Sequence, residues 1–417
     1  MINDFSKLLP EMLSGGKLGE ALTVLPEYDA SIREADAGTR LLRLSDIYRV
    51  FIPNRMASEI YHRLYCMASM SLQKKGGTES IRLLNAVHAG TLGTECGSGY
   101  RGIATGMASA TCIGVSGIGK TSCIQAAINL CGGVIEVDEP YRKIIPVLVV
   151  SCPFNCSFRS LCSQILARVD EYLATDYYRK SQKSTMNAEQ VMQMVCQVAN
   201  LFIGVLVIDE IQMIVESRNG SQLYRMILQL INSSNISVLM CGTPECIPFF
   251  GQNPQMARRT VGMQYGPMPY EGEFREFCRI LFSYQYVRNR AEMSDRILEW
   301  LYGHSGAIPG SLMALIHDAQ EIAILDGREE LDIAALTEAY DRRMKMLHPY
   351  IGAGARQDKR YAPARAAVKG ETVPAASGES GDFRQVDIPA LAAAAKQKGE
   401  DIAAMLKRHI PVREVPL

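Results

Sequence analysis

The chain has 417 residues, 47% of them hydrophobic and 21% charged, with 44 basic residues balanced by 44 acidic ones. That length predicts two or three domains, and the apolar share is enough for packed cores. The neutral total argues against a histone-like protein wrapped in nucleic acid, while leaving room for a local basic stripe on one face.

In chain order, residues 1 to about 45 read as polar and helical, with a break at Ser14–Gly16. The opening "MINDFSKLLPEML" has no basic segment followed by an apolar core, so no secretory leader is expected. Over 52–75, Met56, Ile60, Leu64 and Met67 recur at helical spacing, and Pro53 suits a first helical turn. A glycine-rich stretch follows at 89–106. Short apolar runs at 111–115, 146–151, 203–208 and 236–241 then alternate with helical segments at 120–130, 158–173, 187–200 and 221–232. Continuous apolar strands alternating with helices predict a parallel sheet covered on both faces. Strand patterns stop after about residue 268, and four amphipathic helices at 273–285, 294–303, 309–324 and 331–346 predict a small helical lid. From 351 the composition turns to Ala, Gly, Pro, Arg and Lys, a linker-like tail closed by the helical "IPALAAAAKQKGEDIAAMLKRHI". The expected division is 1–104 N-terminal and mostly helical, 105–268 α/β core, 269–350 lid, and 351–417 flexible tail ending in a partner-docking helix.

Twelve cysteines are scattered, with Cys112, Cys123, Cys131, Cys196 and Cys241 inside apolar runs where a free thiol acts as a small hydrophobe. There is no C-x-x-C pair, and Cys152, Cys156 and Cys162 are spaced too loosely for structural zinc. No apolar run approaches the ~20 residues of a membrane span. The expectation is a reduced, cytoplasmic protein with no membrane partner.

"GVSGIGKT", Gly114 to Thr121, fits G-x-x-x-x-G-K-[ST] at each fixed position, directly after a strand and opening a helix. Glycine lets backbone N–H groups converge on phosphate oxygens, and the helix N-terminus adds partial positive charge. Lys120 is expected to reach the β- and γ-phosphates of ATP, and the Thr121 hydroxyl to ligate Mg²⁺. "VLVIDE" supplies two carboxylates at a strand end: Asp209 for the Mg²⁺ shell, and Glu210 to polarise the attacking water. Glu directly after Asp points to hydrolysis rather than mere nucleotide holding. The strand "ISVLMCGTPE" places Thr243 at its tip as a sensor of the γ-phosphate, the task of that position in P-loop ATPases with an extra strand between the two Walker elements. In "NPQMARRTVG", either Arg258 or Arg259 suits an arginine finger aimed at a neighbouring subunit's phosphate.

The P-loop, "VLVIDEIQ", "LMCGTPE" and "QMARR", in that order and spacing, resemble the TnsC/TniB group of AAA+ transposition ATPases over roughly residues 105 to 325. "HSGAIPGSLMALIHDAQEIA" (304–323) is similar to the lid of that group. The resemblance implies a P-loop AAA+ fold in a bacterial cytoplasmic protein. It also implies an ATP-dependent regulator of DNA transposition that assembles on duplex DNA as rings or helical filaments, a heptamer among them. Such a protein links a TnsD/TniQ-type target selector to TnsA/TnsB-type transposase subunits, and ATP turnover takes the polymer apart. Carried over by position, Gly114, Ser116, Gly117, Ile118, Gly119, Lys120, Thr121 and Ser122 would contact the nucleotide and its Mg²⁺. Arg179, Lys180, Lys183, Ser184 and Thr185, in "DYYRKSQKSTMNAEQ", would hold the DNA backbone without reading sequence. The chain departs from the pattern at the lid helix, where Pro309, Gly310 and Ser311 stand in place of a sensor arginine, so weak lid-to-phosphate coupling is expected. A helicase-loader-like ATPase, a signalling NTPase switch and a non-hydrolysing scaffold are the rival readings. Glu210 speaks against the last.

Overall fold

In the computed structural model the apolar runs become strands of one six-stranded sheet: β1 (Ser109–Gly114), β2 (Ile135–Asp138), β3 (Tyr141–Ser151), β4 (Ile203–Asp209), β5 (Ser237–Gly242) and β6 (Val261–Tyr265). The structure describes residues 4–76, 84, 109–138, 141–153, 157–184, 186–215, 227, 229–230, 236–251 and 261–348. All of them belong to one unit, Met1–Ala362. The tail predicted for 351–417 and the glycine-rich stretch at 89–106 lie outside the described residues, and so does most of the helix predicted at 221–232.

The strand order is β2-β3-β4-β5-β1-β6. The strands from β3 to β6 are all parallel, and β2 folds back antiparallel on β3. β5 therefore separates β4 from β1, which is the AAA+ arrangement of the P-loop fold. Every residue of β1, β4 and β5 is buried, as expected of strands covered on both faces. The two edge strands were not expected from the sequence. In β2 exposure alternates, Glu136 and Asp138 out and Val137 in, and β6 alternates likewise with Gly262 and Gln264 out. That is period-2 patterning of a half-covered edge rather than a continuous apolar run.

Helices α5 (Phe158–Leu173) and α7 (Ala188–Phe202) cover one face, with Leu161, Ile165, Val191 and Val195 packed on Leu148, Leu206 and Met240. The other face is covered by α3 (Arg55–Lys75) and α4 (Lys120–Cys131). The predicted spacing in α3 holds: Met56, Ile60, Leu64 and Met67 are all buried against Val205, Val207 and Leu239. Each such side chain contributes about 1.5–3 kcal/mol relative to exposure. The cap differs from expectation. Asn54 caps the helix, its side chain accepting from Ala57 N–H, and Pro53 precedes the cap instead of sitting in the first turn. Ser14–Gly16, read as a break, is instead the start of α1 (Gly15–Leu22), whose Leu18 and Leu22 join the α3 core together with Phe5 and Leu9.

At its far end, α3 is pinned by Lys75. This buried side chain donates to the Ala199 and Asn200 carbonyls at the end of α7, at 2.9 and 2.5 Å. Burial, then the neighbouring Arg142, push its ammonium well below the usual lysine range.

The lid packs α8 (Arg275–Ser283), α9 (Asp295–Ser305), α10 (Pro309–Leu325) and α11 (Ile333–Arg343) around Phe277, Leu281, Leu301, Leu312, Ile316 and Leu336. Leu44, Ile47 and Val50, from the segment after α2 (Ala37–Arg43), belong to this same core. Arg40 of α2, 1% exposed, makes a two-pronged ion pair with Glu329 (2.6 Å for each prong) and donates to Tyr286 O at 3.0 Å. The N-terminal residues thus serve both the sheet layer and the lid. No described helix is long and apolar enough to cross a membrane.

Candidate nucleotide site

β1, between β5 and β6, delivers Gly114 to the carboxyl-terminal end of the sheet, and the chain turns through residues 115–119 into α4. Gly117 (φ 77°) and Gly119 (φ 99°) occupy the left-handed region, where a side chain would be strained. Ile118 is buried beneath the loop, and Ser116, Thr121 and Ser122 face outward. The Lys120 ammonium closes the loop on itself, donating to Gly114 O at 2.7 Å and Val115 O at 3.2 Å.

Across from the loop, β4 ends in Asp209, 3% exposed. The Thr121 hydroxyl donates to one of its oxygens at 2.9 Å, and the Glu210 N–H donates to the other at 2.9 Å. A hydroxyl and a carboxylate that close to each other are hard oxygen donors of the kind Mg²⁺ takes, mostly through water. Thr121 and Asp209 therefore fit the metal position assigned from sequence. Glu210 is exposed and carries φ 57°, unusual for a non-glycine residue. Thr243 lies at the tip of the neighbouring β5, its N–H 3.3 Å from the Gln212 side-chain oxygen. Two cysteines fill the sheet behind the loop. The hydrogen bond with Cys112, and then burial, push the Cys241 thiol well above its usual range, so Cys241 is inert packing, and Cys112 is buried beside it.

Beside the loop opens a cavity of about 550 Å³ that sequence reasoning missed. Its walls are residues 48–54, the start of α4 and the lid, including Phe277, Pro309 and Met313. Phe51 pairs through both backbone groups with Val24, at 2.9 and 2.8 Å. In extended chain, successive backbone groups point to opposite sides. The Val50 C=O and the Ile52 N–H, each opposite a Phe51 group across its peptide bond, thus fall on the side away from Val24, and both residues line the cavity; the Val50 N–H is bonded to Ile47 O at 3.3 Å. The one available sequence cue was the apolar "VFIP" just ahead of the α3 cap.

The lid reaches the loop by backbone rather than by a sensor arginine. Gly310 N–H donates to Gly117 O at 3.0 Å, and a Cβ at 310 would lie 3.0 Å from that oxygen and 3.3 Å from Gly117 Cα. Contact at this point is direct, whereas the missing arginine led to an expectation of weak coupling.

The proposed DNA-contacting residues lie apart in sequence, on and after the short α6 (Tyr177–Ser181). Arg179 and Lys180 are 86% and 50% exposed and pair with Asp176 at 3.7 and 2.6 Å; Lys183 and Ser184 are exposed as well. Arg159 of α5 holds this segment by donating to Ser181 O and Met186 O at 3.1 and 3.0 Å. Thr185, Arg258 and Arg259 lie outside the described residues.

Residues 103–265 match the family model for TniB, described as bacterial TniB protein. Among solved structures the chain is similar to the Orc1 protein of Aeropyrum pernix in complex with DNA. That match has 15% identity and TM-score 0.43, covering 69% of this chain and 65% of that one. It is also similar to the Walker-type ATPase paby2304 of Pyrococcus abyssi (14% identity, TM-score 0.38, covering 69% and 76%). A third likeness is to the Thermotoga maritima RuvB Holliday junction branch migration motor (14% identity, TM-score 0.34, covering 82% and 90%). These are distant likenesses, and the fold rests on the chain's own sheet order. No curated protein matches the chain. Loop, strand order and family match agree: residues 103–265 are similar to the TniB family and are built on a P-loop core with the AAA+ strand order.

Proposed function

We propose that the protein is an ATP-driven switch of DNA transposition, which assembles on duplex DNA with ATP bound and lets go after hydrolysis. The observation that carries this reading is the 2.9 Å contact between Thr121 and Asp209, with Glu210 next in the chain and Thr243 on the adjacent strand tip. In this reading the backbone N–H groups of residues 116–122 bind phosphate oxygens, and Lys120 exchanges its loop carbonyls for the β- and γ-phosphates. Thr121 and Asp209 hold Mg²⁺, which when bound neutralises charge on the phosphates. Glu210 accepts a proton from the attacking water, and Thr243 senses the terminal phosphate.

The cavity beside the loop suits a purine base. Its walls are largely apolar, and a backbone acceptor and donor from Val50 and Ile52 match the amine and ring nitrogen of adenine. Arg179, Lys180, Lys183, Ser184 and Thr185 contact DNA phosphates, and Arg258 or Arg259 completes a neighbour's site. The partners are a TnsD/TniQ-type selector and TnsA/TnsB-type transposase subunits, in a bacterial cytoplasm. What supports this part is the family match together with the exposed basic residues of the α6 segment.

The test is sedimentation and electron microscopy of the protein with duplex DNA, comparing a slowly hydrolysed ATP analogue with ADP. Rings or filaments enclosing DNA only with the triphosphate are expected. Lys120→Ala should abolish them. Glu210→Gln should keep them and leave them long-lived, with hydrolysis down by about 10²–10⁴. The same stoichiometry and the same grip on duplex in every nucleotide state would refute the proposal.

A further inference from the structure

Gln212 stands three residues after Asp209 and is 7% exposed. Its amide is used at both ends. The nitrogen donates to the Glu210 carboxylate, and the oxygen accepts the Thr243 N–H at 3.3 Å. A glutamine amide can donate to a carboxylate with its nitrogen and accept a backbone N–H with its oxygen, and asparagine, one methylene shorter, reaches less far. The surroundings keep it in place. Ile211 N–H donates to Cys241 O at 2.9 Å and Met213 N–H to Glu210 O at 3.0 Å, so the turn after β4 is stitched to β5. At Gly242 any Cβ would press on this group, lying 2.7 Å from Ile211 Cγ2 and 3.1 Å from the Gln212 side-chain oxygen. Glu210 itself is held in the left-handed region, a conformation that persists in a non-glycine residue only when its neighbours over-determine it.

We infer that Gln212 is a positioning residue: it sets the direction of the Glu210 carboxylate and ties it to the tip of β5, so that displacement of Thr243 is transmitted to the water-polarising group. The inference rests on the ATPase reading for its consequence and on the Gln212 contacts for its geometry. A link of this kind makes the carboxylate answer to what the sensor strand touches. It also explains why a glutamine, and no apolar residue, is buried at this place in the core.

The experiment compares Gln212→Met, which keeps length and shape without either hydrogen bond, with Gln212→Glu, which keeps the acceptor for Thr243 but sets a like charge against Glu210. Steady-state ATP hydrolysis is measured with duplex DNA and Mg²⁺, alongside Kd for a fluorescent non-hydrolysable analogue. Both variants should lose about 100-fold in kcat, as expected for a misplaced reacting group, with KM and Kd essentially unchanged. A merely structural role would leave kcat intact in the folded Gln212→Met protein, and that result would overturn the inference. A second readout needs no turnover: unfolding midpoints of the nucleotide-free protein for Glu210→Ala, Gln212→Met and the double variant. Non-additive shifts are expected and additive ones would overturn the link. Should the unmodified protein hydrolyse no ATP, the ATPase reading falls, and the unfolding cycle alone decides the Gln212–Glu210 connection.

Discussion

Replacing Gly310 by alanine isolates the contact between lid and P-loop. Gly310 lies in the first turn of α10, and its φ is not in the left-handed region, so the backbone tolerates any residue. Two effects oppose each other. Alanine favours helix over glycine by about 0.5–1 kcal/mol. Against this, the new Cβ would sit 3.0 Å from Gly117 O and 3.3 Å from Gly117 Cα, backbone atoms that cannot swing aside. Overpacking of this kind costs about 1–3 kcal/mol, so the clash wins. It is relieved by moving α10 off the loop by a few tenths of an ångström, which stretches the 3.0 Å Gly310–Gly117 hydrogen bond and opens the cavity shared by lid and loop. The net loss of about 1–2 kcal/mol falls on stability, and on nucleotide affinity by at most the same amount, roughly 5- to 30-fold, where binding must seat α10 back on the loop; Gly310→Val should be worse. Fluorescent-nucleotide titration reads the affinity and thermal unfolding reads the stability. Gly303→Ala in α9 is the control: nothing lies within 4 Å of its Cβ, so the same chemical change should raise the unfolding temperature and leave affinity alone. If Gly310→Ala and Gly310→Val both bind nucleotide like the unmodified protein, loop and lid do not form one binding surface.

Arg40→Ala should cost about 3 kcal/mol in denaturant unfolding, because it takes both prongs from Glu329, leaving that carboxylate to Arg288, and removes the Arg40 donor from the Tyr286 carbonyl. The hydrogen bond from Arg40 holds the Glu329 carboxyl below its ordinary value of 4.5; the pair's contribution is therefore complete above that pH and is lost as pH falls through the depressed pKa. Unfolding scans should show the unmodified protein losing stability below pH 4.5 more steeply than an Arg40→Met/Glu329→Leu double variant. Lys75→Met should destabilise by about 1–3 kcal/mol, since Asn200 O loses the Lys75 donor and Ala199 O is left with the Ile203 N–H; an unchanged unfolding midpoint would deny the Lys75 cap. Alanine at Arg179, Lys180 and Lys183 together should weaken duplex binding alike on all sequences. It should also flatten the logarithmic salt dependence by up to about 0.9 per lost phosphate contact, and an unaltered slope would remove this segment from the interface.

The parts of the site that were legible in the sequence are those carried by contiguous residues. A phosphate loop needs its glycines at fixed spacing, and a buried strand ending in two acids is visible as such, so Gly114 to Thr121 and Asp209–Glu210 could be read directly. The base-sized cavity was not legible, because its walls come from residues 48–54, the start of α4 and the lid, which only the fold brings together. β2 and β6 escaped because edge strands alternate where central ones run continuously apolar. Gln212 was quoted within "VLVIDEIQ" as part of a likeness, yet its two-ended bond depends on β5 lying beside β4, a neighbour relation that spacing along the chain does not carry.

The stretch that matches a family and the stretch that can stand in water by itself need not coincide. A polypeptide begun at residue 103 would keep the whole glycine loop and the two acids of β4, yet it would bare the flank of α4 that α3 covers and the lid surface that Leu44, Ile47 and Val50 cover. Trimming this protein to its family-matching stretch would expose contiguous apolar surface that invites aggregation, and the first seventy-five residues belong to the casing of the fold.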